Sequence, residues 1–171
     1  MAVQLRRDVQ FAEPPIIVDW TLAFVRAECR KAYVYWDSIR GNKAMALRSE
    51  LSPRGMLEFL TYVNLVDVLP VPENGSIDYQ VSLQATHGRE VFGHLTRRKI
   101  DTVLSEMTAR RMCESFELVR AAARPARFQT RVTAGNKSWL DSESLLAPLG
   151  NQANQVTAIM WMFVSWRAVT T

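Results

Sequence analysis

The side chains able to do chemistry are few, and their spacing argues against a reaction. His87 and His94 are the two histidines of the chain, flanking Gly88 and Gly93. As metal ligands they would need a third partner at a matching spacing, and none stands nearby. The stretch from Gly88 to Gly93 is followed by His94-Leu95, where a phosphate-binding loop requires a lysine and a hydroxyl residue. No glycine-x-serine-x-glycine elbow occurs. The acidic residues are scattered, with no pair that the pattern places across a cleft. Cys29 and Cys113 both fall in helix-like contexts, which suits neither a disulfide framework nor a thiolate metal site. No catalytic residue and no metal ligand is named, and the chain reads as a non-enzyme.

Two apolar sets are better candidates. Tyr79, Val81, Leu83, Phe128, Val132, Met160 and Met162 recur at strand spacing and would line the concave side of a sheet beneath a helical middle. A small-molecule pocket is built this way, apolar with a few polar groups, and so is a filled core. The two methionines are side chains that repack around a guest. Trp20, Phe24, Tyr33 and Trp36 form the second set, an aromatic stripe on one helix that suits an oligomer interface.

Composition bounds the elements that carry these residues. With 171 residues, 48% hydrophobic and 22% charged, the chain has the material for one core of ordinary polarity. No apolar run reaches the roughly 18 residues of a membrane span. The first residues, Met1 to Asp8, lack a signal peptide's apolar segment, so a cytoplasmic location is expected. The net charge of +4 is mild, and apart from Arg97-Arg98-Lys99 and Arg110-Arg111 the arginines are spread out. Nucleic acid is not an expected partner.

Residues 1–15 read as a loose arm closed by Pro14-Pro15. The period from Asp19 to Ile39 predicts a helix, capped by Asp19 and stopped at Gly41. Ser52-Pro53 predicts the start of a second helix. A strand is expected from Leu65 to Val71 and turns through Pro72-Glu73-Asn74-Gly75 into a second, where Ile77, Tyr79, Val81 and Leu83 alternate with polar residues. Short helices are predicted from about Glu90 and Lys99, and a longer one from Thr108 to Ala122, ended by Pro125. Three strands follow, over Arg127–Ala134, Trp139–Leu146 and Val156–Trp166. The continuous apolar run of the last suits a central strand covered on both faces. The sum is an α+β fold, a five-stranded antiparallel sheet with helices over one face and an N-terminal helical extension. Residues 1–47 would be the arm and aromatic helix, and 48–171 the domain proper.

The order of these segments resembles a PAS domain, more narrowly the small single-domain PAS proteins of alphaproteobacteria. The similarity is carried by Tyr35, Trp36, Ser38, Arg40 and Gly41 at the end of the first helix, then Arg48, Glu50 and Pro53. Leu65-Val66-Asp67-Val68, then Asp78, Tyr79, Leu83, Thr86 and Gly93, and late Leu145-Leu146-Ala147-Pro148-Leu149 extend it over about residues 20 to 166. The chain departs from the family's arginine-leucine-x-glycine-threonine at the end of the second strand, with Ser82-Leu83-Gln84-Ala85-Thr86 there.

The resemblance implies a bacterial sensory or regulatory domain that binds a small ligand or a signalling partner and passes the change through its N-terminal helix, as an expected homodimer. The alternative is a ligand-free interaction or dimerisation module. The resemblance also bears on cofactors. Haem-binding members are ligated from the long middle helix, which here holds no histidine. Cys113 lies on that helix without the asparagine-cysteine-arginine-phenylalanine context of light-sensing flavin domains. The cofactor is left unknown.

Overall fold

The computed structural model describes residues 2–4, 14–71 and 73–169. Five long strands make the sheet: β4 (Val63–Pro70), β5 (Ile77–Leu83), β6 (Ala126–Arg131), β7 (Leu140–Gly150) and β8 (Val156–Arg167). They are antiparallel and lie in the order β5-β4-β8-β7-β6. The α+β class and the five strands arriving as two and then three are as the sequence implies. Three short strands are added. β2 (Ile17–Asp19) pairs with β6, β1 (Ala2–Gln4) pairs with β2, and β3 (Ala46–Leu47) runs parallel to β7. The loose arm expected over 1–15 is therefore partly strand, and its residues 5–13 lie outside the described residues, as does Pro72 of the predicted turn.

β8 occupies the centre, paired along β7 on one side and β4 on the other. Successive strand residues face opposite sides of a sheet. Ile159, Trp161 and Phe163 enter one core, while Ala158, Met160, Met162 and Val164 enter a second core behind it. Both faces must therefore be covered. The first is covered by α2 (Thr86–Phe92), α3 (Ile100–Val103) and α4 (Glu106–Ala122), the second by α1 (Ala27–Arg40). The helical extension is thus a layer of the domain, on the face away from the other helices.

α1 begins eight residues later than the sequence implies. Asp19 does cap, but what it caps is a turn: its carboxylate accepts from the Thr21 amide at 2.8 Å, the Thr21 hydroxyl at 2.5 Å and the Ala23 amide at 3.0 Å. Leu22 then takes a positive φ of 60°, which no helix continues through. Trp20 consequently sits outside the helix. At the other end Gly41 stops α1 with φ 57°. The helix expected at Ser52-Pro53 is replaced by short 3-10 turns, Pro53–Met56 and Leu60–Tyr62. The Ser52 side chain caps nothing. Gly55 passes so close to the Tyr35 ring that an added Cβ would lie 2.4 Å from Cε2.

α2 starts at Thr86, ahead of the predicted Glu90, because Asn64 holds its entry. This fully buried side chain accepts from the Ala85 amide at 2.9 Å and donates to the Trp161 carbonyl at 3.1 Å. Gly88 lets the helix approach it, since a Cβ there would stand 2.8 Å from Asn64 Oδ1. That oxygen is fixed by its hydrogen bond and cannot swing aside. Gly88→Ala should lose about 1–2 kcal/mol in urea unfolding, the crowding outweighing the roughly 1 kcal/mol that alanine gains in a helix. Equal or higher stability would contradict the packing.

Candidate functional site

A cavity of ≈ 90 Å³, open to solvent, lies between α4 and strands β6, β7 and β8. Its inner wall is aromatic. Trp161 and Phe163 project from β8, Phe116 from α4, and Phe92 from α2. Their rings meet at tilted or edge-on angles with centroids 4.8–5.9 Å apart, the arrangement favoured by aromatic quadrupoles. The polar wall is mostly hydroxyl: Thr108 and Ser115 from α4, Thr130 and Thr133 from β6 and its end, and Ser142 and Ser144 from β7. Arg111, also on α4, donates to the Pro14 carbonyl at 2.7 Å and to Thr130 Oγ1 at 2.8 Å, tying the segment before β2 to the cavity rim. Burial alone moves its pKa down.

The seven pocket residues named from the sequence divide four ways. Phe128 and Val132 line the cavity. Tyr79 and Val81 belong to the same core but stand to one side, Tyr79 donating its hydroxyl to Glu117, which Arg120 also grips. Leu83, at the end of edge strand β5, is 44% exposed. Met160 and Met162 point to the opposite face and pack under α1. A one-residue offset along β8 separates them from Trp161 and Phe163, which do line the space.

The aromatic set expected on one helix is also placed inward, with only Tyr33 and Trp36 on α1. Trp36 is 2% exposed and donates Nε1–H to the Pro148 carbonyl of β7 at 3.0 Å. Phe24 is buried beside Tyr33, and Tyr33 stacks on Trp36. Trp20 is half-buried against the first core, with the Arg124 guanidinium over its ring at 5.0 Å. The other motif residues at the helix end act as fasteners. Tyr35 Oη accepts from the Ser52 amide at 3.0 Å, Arg40 holds Asp37 and the Lys43 carbonyl, and Glu50 receives Lys43 and the Leu47 amide.

Sequence reasoning missed the group that ties this layer to the cavity. Glu143 lies on β7 between Ser142 and Ser144, so it faces α1 while they face the cavity. Its carboxylate is fully buried. It accepts from the Val25 amide at 2.9 Å and the Arg26 amide at 2.8 Å, directly before α1, and from Arg127 Nε at 2.6 Å. Arg127 also reaches Gln129 Oε1 at 2.9 Å and lies 3.8 Å from Asp19. Burial pushes the Asp19 carboxyl up, but its hydrogen bonds from Thr21 and Ala23 and the Arg127 charge outweigh this and leave its pKa lowered. Arg127 and Glu143 stand in mixed strand segments, Ala126-Arg127-Phe128-Gln129-Thr130-Arg131 and Leu140-Asp141-Ser142-Glu143-Ser144, where a charge draws no notice.

The thiols are quiet. Burial, then the Glu143 charge, pushes Cys29 far up, and burial with nearby Asp78, Asp101 and Glu114 pushes Cys113 up to about 11. No group of three or more metal-binding side chains is found among the described residues. His87 has a different use. Its ring packs against Tyr62 and Phe163, and its Nε2 accepts from the Ser165 amide at 3.2 Å and lies 2.8 Å from the Ser165 hydroxyl. It bonds α2 to the end of β8.

A central antiparallel sheet in this strand order, with a helical connector enclosing a small cavity on one face, is the architecture of a sensory-type α+β domain. Residues 25–163 match the PAS domain family, and the chain belongs to it. No curated protein matches the chain. Among the described residues no helix is long and apolar enough to cross a membrane.

Two outcomes follow from these contacts. Glu143→Ala leaves Arg127 buried without its carboxylate and two amides without an acceptor, and should cost about 3–5 kcal/mol in denaturant unfolding. A loss below about 1 kcal/mol would contradict the role given to it. Burial lowers the His87 pKa below its ordinary 6.5, with Glu90 opposing in part. The unfolded chain then binds the proton more readily, so the stability from neutral His87 is complete above pH 6.5 and is lost as pH falls through the lower folded value. Unfolding free energies at pH 7.5 and 5.5 should converge in His87→Gln, and an unchanged difference would count against this.

Proposed function

We propose that this chain is a bacterial sensory domain that admits a small molecule to the α4–sheet cavity and passes the change to α1. Membership of the PAS family supports a sensory or regulatory role. The observation that carries the finer reading is the alternation on β7. Ser142 and Ser144 face the cavity, and Glu143 between them holds the amides that open α1. A guest that shifts β7 toward or away from α4 moves the Glu143 carboxylate with it. It does so only if it binds the two arrangements with different affinity. Output would run through a signalling protein or a second copy of the chain, in the cytoplasm. No reaction is proposed.

Because Phe24 and Trp36 are buried within one copy, the outer face of α1 would make such a contact through other side chains, among them Val34, 61% exposed. Native mass spectrometry of the full chain should show a retained small molecule, or a metabolite panel should raise its melting temperature. Ser144→Leu, which fills the cavity, should abolish either effect while the protein still folds. No retained mass and no thermal shift, or an effect untouched by Ser144→Leu, would refute the reading.

A further inference from the structure

The hydrogen-bond inventory of the cavity narrows what it takes. Ser115 Oγ donates its hydrogen to the Arg111 carbonyl at 2.9 Å, and Ser142 Oγ donates to the Thr130 carbonyl at 2.9 Å. Each hydroxyl has one hydrogen, so both oxygens present only lone pairs to the cavity. Ser144 is the reverse. Its oxygen accepts from Trp161 Nε1 at 3.4 Å, and its own hydrogen meets no acceptor among the described residues. The wall therefore offers acceptors at Ser115 and Ser142 and a donor at Ser144. Phe92, Phe116, Trp161 and Phe163 form the aromatic part of the lining, in which the Arg111 and Arg131 guanidinium groups also stand.

We infer that the cavity selects a small, planar aromatic molecule of one ring that carries a hydroxyl. This inference rests on the ligand-binding reading above. Such a guest extends the edge-and-face packing of the four rings, donates to Ser115 or Ser142, and accepts from Ser144. Size sets the upper limit. The space of ≈ 90 Å³ is smaller than the ~150 Å³ apolar cavity that accommodates benzene, so even one ring needs some give. Met112 in the wall, unbranched and half-buried, supplies it. Haem and flavin, with three or more fused or linked rings, exceed it.

Calorimetric titration of the full chain with phenol, cyclohexanol and indole tests this. Phenol should bind, cyclohexanol about tenfold more weakly for lack of aromatic packing. Indole should also bind more weakly, for size. Ser144→Ala should weaken phenol several-fold and Ser144→Leu should abolish it. Cyclohexanol or indole binding as well as phenol would overturn the ligand class and leave the sensory cavity standing. Phenol binding that survives Ser144→Leu, or no binding by any probe, would overturn the class as well. Whether the cavity takes any guest is then decided by the retained mass and the thermal panel.

Discussion

A carboxylate with no solvent exposure sits where the sheet meets the entry of α1. Glu143 is held by one guanidinium and two backbone amides, which come from two different segments of the chain. Arg127 belongs to β6, the amides belong to the entry of α1, and Asp19 beyond Arg127 belongs to β2. A buried ion pair need not add net stability over an apolar replacement. What it does here is fix position. The amides of Val25 and Arg26 precede the first turn of α1, where backbone donors have no helical partner. A carboxylate there also complements the positive end of the helix dipole. The Trp36 indole on Pro148 secures the far half of the same helix to the same strand. α1 is thereby registered on β7 at two points.

The second constraint is the two-sided burial of β8. A strand covered on one face only would leave Met160, Met162 and Val164 in water. α1, β3 and the 3-10 segments around Met56 and Phe59 instead enclose them. This makes two cores share one sheet. A displacement of the middle strands is felt in both, because packed interiors yield little. The cavity on the α4 side and the cap on the α1 side lie on alternate residues of β7, so the sheet itself is the connection between them.

Much of this was legible in the sequence. Strand positions could be read because β5 alternates cleanly and because Asn74-Gly75, Gly135-Asn136 and Asn151–Asn154 mark the reversals. The helix end at Tyr35-Trp36 and Gly41 was legible too, since its residues make local fastenings. The facing of β8 was not. When both faces are apolar the alternation vanishes, and nothing in Ile159 to Val164 says which residues meet α4. Assigning Met160 and Met162 to the cavity followed from that loss of contrast. The start of α1 was hidden for another reason. Asp19 is a good cap by type, but its partners form a turn, and the true entry is held by Glu143 more than a hundred residues away. Arg127 and Glu143 gave no trace of that long-range contact, since other charged and polar residues share their strand segments. The serines beside Glu143 went unnoticed because a hydroxyl on a strand is ordinary until its neighbours are known.

The account stands on the Glu143 carboxylate acting as the acceptor for the two amides that lead into α1. Amide hydrogen exchange resolved at Val25 and Arg26 measures this directly. These amides lie outside any helix or strand, so only that carboxylate protects them. They are expected to exchange as slowly as the amides of β7, and at least one of them to lose this protection in Glu143→Gln, which keeps a single acceptor oxygen, while the β8 amides keep theirs. Rapid exchange at Val25 and Arg26 in the unaltered protein would contradict the account.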